Sequence, residues 1–107
     1  MTEKEKDIAQ KIKAKIREKD PDAKVILYGS RARGDYRENS DWDILILVDR
    51  ESVSLKTEQE YRHHLLDLEL EIGEPISVTV HSKSKWESKH SITPLYKSVE
   101  EDGVVLS

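Results

Sequence analysis

Cysteine is absent, which excludes a disulfide framework and any thiolate metal site. Glycine (4) and proline (3) are sparse, and no internal repeat, low-complexity tract or linker interrupts the chain. No apolar run is long enough to span a bilayer, and Met1 to Asp7 are charged and polar, unlike a signal peptide. A soluble cytoplasmic protein without a membrane partner is therefore expected. A basic excess is missing too. The formal net charge is −4, which argues against a general DNA-coating or membrane-surface role and still permits one local basic pocket. Aromatic residues make up only 6%, which gives little sign of a nucleic-acid groove. Nucleic acid is not expected as a ligand unless a partner binds it.

What remains is a chain of 107 residues, the size of one domain over residues 1–107, with 36% hydrophobic and 37% charged residues. Such a chain buries one small core and solvates charged helix faces. Ile8, Ile12 and Ile16 recur every four residues, predicting an amphipathic helix from Glu3 to Lys19 that ends at Asp20-Pro21-Asp22. Lys24 to Tyr28 and Trp42 to Val48 read as buried strands. Between them, Arg31 to Asp35 starts a short helix and Tyr36 to Ser40 is turn-like. Leu55 to Ile72 predicts a second long helix, with Tyr61, Leu65, Leu68 and Ile72 on one face, widened by Leu66 and Leu70. Ser54 suits its N-cap, Thr57 with Glu60 an alternative capping box, and Gly73 its end. Ile76 to His81 alternates like a half-covered strand. Lys83 to His90 and Pro94 to Glu101 predict short helices, and Val104 to Leu106 a terminal strand. The order predicts an α/β fold: a small mixed sheet with helices packed on it.

The chemistry gathers at two places. Gly29-Ser30 falls where a buried strand ends and a helix starts. Glycine admits phosphate close to the backbone, the free N–H groups of a helix start suit an anion, and the Ser30 hydroxyl adds a donor. Arg31 and Arg33 offer guanidinium forks that match phosphate oxygens, and Gly34 turns the chain away. Ten residues, Arg31 to Ser40, separate Ser30 from Asp41-Trp42-Asp43. On a strand, Asp41 and Asp43 share one face about 6.6 Å apart along the backbone, so their carboxylates can converge on one or two Mg²⁺ ions. Two such ions about 3.5–4 Å apart suit an in-line displacement at phosphorus. Trp42 points to the other face.

This arrangement, with Ile44-Leu45-Ile46 behind it, resembles the signature of the DNA polymerase beta-type nucleotidyltransferase superfamily. Size and the Gly29-Ser30-Arg31-Ala32-Arg33-Gly34 form are most similar to its minimal, single-domain prokaryotic members. The resemblance implies a nucleotidyltransferase fold, with Ser30 and Arg33 contacting the polyphosphate of a nucleoside triphosphate and Asp41 and Asp43 ligating Mg²⁺. It implies transfer of a nucleoside monophosphate to a hydroxyl with release of pyrophosphate. It also implies a small helical partner of the HEPN type, with the chain as antitoxin, and in some cases transfer of AMP to a partner tyrosine. The family adds a third carboxylate from a later strand. Ile76 to Val80 contains none, so Glu74 is the nearest candidate for that catalytic role. Without a third acid, an antitoxin or nucleotide-binding regulator with weakened catalysis is the alternative.

Other residues read more plainly. His63, His64 and His81 are expected on the surface, since adjacent helical histidines point apart. Asp35 and Asp49 are read as turn residues, Tyr28 as core and Trp86 as packed inward from a solvated helix start. Tyr36 lies in the loop beside the expected site, where it would stack on a base or accept a nucleotide if it is not simply a loop residue.

Overall fold

Thr2 and Glu5 open the first helix, α1 (Glu3–Lys19), with a reciprocal cap. The Glu5 N–H donates to Thr2 Oγ1 at 3.2 Å and the Thr2 N–H donates to Glu5 Oε1 at 2.8 Å. Ile8, Ala9, Ile12 and Ile16 are its buried face. The computed structural model describes residues 1–37, 40–89 and 92–106. The remaining elements are β1 (Lys24–Tyr28), α2 (Gly29–Arg33), β2 (Trp42–Val48), α3 (Leu55–Ile72), β3 (Ile76–Ser82), α4 (Lys83–Lys89), α5 (Pro94–Asp102) and β4 (Val104–Val105).

The strands form one mixed sheet in the order β3-β2-β1-β4. β1 runs antiparallel to β2 and β4, whereas β2 and β3 are parallel, joined through α3. On one face Val25, Leu27, Trp42, Ile44, Ile46, Val48, Val78 and Val80 pack with α1 and the Tyr61, Leu65 and Leu68 stripe of α3. On the other, Ile26, Leu45 and Leu47 meet Trp86 of α4 and Val99 of α5. Cover on both faces explains the uninterrupted apolar run of β2. The small mixed α/β architecture expected from the sequence is thus present.

Several boundaries differ. The short helix starts at Gly29, not Arg31, and β4 stops before Leu106. The expected end of α4 at His90 and part of the expected turn, Glu38 and Asn39, lie outside the described residues. Ser54, not a Thr57–Glu60 box, caps α3 by accepting from the Thr57 N–H, and Gly73 ends that helix. Leu66 (45% exposed) and Leu70 (73%) do not widen the core face of α3. The helix lies against the free edge of β3, where Glu69 accepts from the Ile76 N–H at 3.1 Å and Glu58 from the Val80 N–H at 3.3 Å. Its outer side therefore has no sheet to cover, and the two carboxylates occupy donors that another strand would otherwise pair with. Among the described residues no helix is long and apolar enough to cross a membrane.

Candidate functional site

β1 ends at Tyr28, and the next residue, Gly29, sits at φ +76° as α2 begins. A side chain there would be strained, and its Cβ would collide with the Asp43 carboxylate. The missing side chain of Gly29 is thus the space in which Asp43 lies. Gly29→Ala is expected to destabilise the fold by about 1–3 kcal/mol, the usual range for a left-handed non-glycine residue. A melting temperature equal to wild type would contradict this packing.

Asp41 is exposed just before β2, and Asp43 is half-buried two residues on. Strand alternation puts Asp43 on the face opposite Trp42, and Asp41, just outside the strand, is near enough for its charge to act on Asp43. Burial raises the Asp43 carboxyl above its ordinary value, the charge of Asp41 raises it further, and Arg33 opposes them. Asp43 stands in register with Tyr28 of β1 and Ser77 of β3. Tyr28, expected in the core, is half-buried and interacts through its hydroxyl with Thr79. It borders this face while packing partly on the α4–α5 cluster.

Arg33 is exposed, and its guanidinium is already engaged. Nε donates to Asp35 Oδ2 at 3.1 Å and Nη1 to Asp102 Oδ2 at 3.2 Å. The contact of Asp102, at the end of α5, with Arg33 was not visible from the sequence. It lies 69 positions from Arg33, and only the packing of α5 on α2 brings the two together. Asp35 and Asp102 therefore hold Arg33, whose charge also acts on Asp43, the neighbour of Asp41.

Two expected site residues are placed elsewhere. Arg31 is 5% exposed and faces the Trp42 side. Its Nε and Nη2 donate to the Ser40 carbonyl at 3.3 and 3.0 Å, and Nη2 also donates to Glu74 Oε1 at 3.2 Å. The guanidinium carbon lies 4.3 Å from the Tyr36 ring centre and 5.0 Å from that of Trp42. Residues two apart on a helix lie about 200° apart around its axis, so Arg31 and Arg33 point to opposite sides of the same turn. Glu74 accepts from Trp42 Nε1 at 3.0 Å in addition to its ion pair with Arg31. The expected reach of Glu74 to the Asp41–Asp43 face is therefore not seen, and Arg31 is tied to the loop instead of facing a phosphate. Tyr36 packs on Arg31 and interacts with Glu5, away from Asp43. His64 meets the Lys15 carbonyl at 2.7 Å, linking α3 to α1, and His81 stacks against Trp86.

Among the described residues no group of three or more His, Cys, Asp or Glu is arranged to hold a metal. The donor set at Asp41 and Asp43 nevertheless fits a hard divalent cation. It offers oxygen ligands only, and a cation offsets both the burial and the Asp41 charge that raise Asp43. Two chain carboxylates leave the remaining positions to phosphate oxygens and water.

Residues 9–106 match the family described as nucleotidyltransferase domain. A protein of Methanocaldococcus jannaschii whose name makes it a candidate protein adenylyltransferase is 49% identical over 55 residues. That alignment covers 51% of this chain and 48% of the relative, so about half the length of the relative is spanned. A chain of a toxin–antitoxin complex crystallised with AMP-PNP superposes with a TM-score of 0.68 at 21% identity, covering 92% of this chain and 72% of that one. A chain of the MntA–HpeT toxin–antitoxin complex carrying two Asp-to-Glu substitutions gives 0.67 at 19% identity, with coverage of 92% and 72%. At these identities the two crystal structures establish likeness of fold.

Proposed function

The chain belongs to the nucleotidyltransferase domain family, and from that membership we propose that it binds a nucleoside triphosphate with Mg²⁺ and transfers the nucleoside monophosphate to a hydroxyl. The observation that carries this reading is the Asp43 carboxylate lodged against Gly29. The reading is supported by the approach of Asp43 to the Gly29-Ser30 turn and by the charge of Arg33, which opposes the shift of Asp43. Asp41 and Asp43 would hold Mg²⁺, which when bound neutralises charge on the phosphates. Gly29 and Ser30 line the approach of the polyphosphate, and Arg33 offers it a guanidinium. Transfer joins the acceptor oxygen to the α-phosphorus and releases pyrophosphate. ATP is the donor we favour, since the fold is shared with a complex crystallised with AMP-PNP. The related crystal with two Asp-to-Glu substitutions has them two positions apart, the spacing of Asp41 and Asp43.

The same relatives support a protein partner, which we place as a HEPN-type helical toxin, with this chain as antitoxin. Incubation with labelled nucleoside triphosphates and Mg²⁺, alone and with the neighbouring gene product, tests the reading. Label on a protein acceptor, lost in Asp43→Ala, is the expected result. Absence of transfer to every acceptor would remove the enzymatic reading.

Ser77 favours a second reading, an antitoxin or regulator that binds nucleotide with little turnover. It is the register partner of Asp43 on β3, so a third carboxylate would fit there, and a hydroxyl stands instead. Ser77→Asp is expected to tighten Mn²⁺ binding by about 10-fold or more, the scale on which a metal site answers to changed ligation. Unchanged Mn²⁺ affinity on titration would show that Ser77 does not face the cation.

A further inference from the structure

We propose that Asp102 is an affinity-determining residue of the nucleotide site, a built-in counter-ion that holds Arg33 until a metal-bound triphosphate replaces it. This rests on reading the Arg33–Asp43 cleft as a triphosphate site.

The placement of Asp102 is the first argument. It ends α5 after Glu100 and Glu101, and the last turn of that helix carries no basic residue. Acids at a helix C-terminus oppose the helix dipole, so the local sequence does not favour a carboxylate there. What it gains is Arg33, at 3.2 Å. Asp102 is 19% exposed and Asp35, the other partner of Arg33, is 62% exposed, so Asp102 is the better shielded and stronger competitor. The second argument is charge. With Arg31 neutralised by Glu74, the carboxylates of Asp35, Asp41, Asp43 and Asp102 outnumber the Arg33 guanidinium. A metal-free triphosphate meets this excess of negative charge. A metal-bound one brings a cation to Asp41 and Asp43 and needs only to displace Asp102 from Arg33. The arrangement therefore makes binding depend on the cation and sets the affinity below what Arg33 alone would give.

Calorimetric titration of ATP with Mg²⁺ into wild type, Asp102→Asn, Arg33→Met and the double variant tests this. Asp102→Asn is expected to bind about fivefold more tightly, the scale of one partly exposed ion pair. Asp102→Ser, which removes the charge by a different side chain, should do the same. The gain should vanish in the Arg33→Met background. Unchanged or weaker binding by both Asp102 variants with wild-type melting temperatures would overturn the proposal. So would a gain that persists without Arg33, because the effect would then be general charge. If no protein in the set, wild type included, binds ATP with Mg²⁺, the triphosphate reading itself fails and takes the proposal with it.

Discussion

Asp43→Asn is expected to lower affinity for ATP with Mg²⁺ by at least about 100-fold and yet to raise the melting temperature of the metal-free protein. The first effect follows from removing one of the two carboxylates proposed to hold the cation, when even outer-shell changes at metal sites cost 10–100-fold. The second follows from where the carboxylate sits. Asp43 is half-buried against Gly29, and its carboxyl is raised by burial and then by Asp41. A carboxyl raised on folding favours the folded state only while it is protonated. That contribution is fully present below the unfolded value of about 3.9 and is lost as pH rises through the higher folded value. The melting temperatures of wild type and Asp43→Asn should therefore be similar near pH 4 and diverge towards neutrality, with the variant higher. Mg²⁺ should shift wild type and not the variant. A variant that melts below wild type at neutral pH without metal would mean that Asp43 is not crowded as described.

Glu74→Ala is expected to destabilise the fold by about 3 kcal/mol, lowering the melting temperature by more than about 10 °C. The substitution leaves the Arg31 guanidinium, 5% exposed, without its carboxylate partner and the Trp42 indole N–H without its acceptor. Arg31 ties three segments together: α2, the Ser40 carbonyl just before Asp41, and Glu74 just before β3. The Trp42 N–H donates to the Pro75 carbonyl at 2.9 Å across the same junction. Loss of Glu74 should therefore weaken nucleotide binding through displacement of the Asp41 loop. Glu74→Gln, which keeps an acceptor for Trp42, should recover part of the stability. If Glu74→Ala melted like wild type, the Arg31 network would not be what positions the Asp41 loop.

Much of this was legible in the sequence, for reasons that can be traced residue by residue. Ile44 to Val48 announced a central strand because burial on both faces leaves no place for polar residues. Gly29-Ser30 and Asp41-Trp42-Asp43 stood out because few structural needs call for a glycine turn and two acids on one face beside a buried run. Arg31 and Arg33 look alike in sequence and are separated only by direction. One faces the Trp42 side and is buried, the other faces the carboxylates. Glu74 was the nearest acid to β3 by chain position, but the side of the sheet it serves is set by Trp42 and Arg31, which no local pattern encodes. Leu66 and Leu70 extended the apolar stripe of α3 by spacing alone. Their exposure depends on α3 lying at the edge of the sheet, a property of strand order. Asp102 left no trace, because its role arises from the contact between the first and last parts of the chain.

Asp41 and Asp43 are proposed to form, with the Gly29-Ser30 turn and Arg33, a single site for a divalent cation and a triphosphate. Electron paramagnetic resonance of Mn²⁺ titrated with protein, in the presence and absence of ATP, tests it most directly. Weak Mn²⁺ binding without nucleotide, strong mutual tightening with ATP, and loss of that tightening in Asp41→Asn and Asp43→Asn are expected. Mn²⁺ and ATP binding that are independent of each other, or coupling that survives both substitutions, would contradict it.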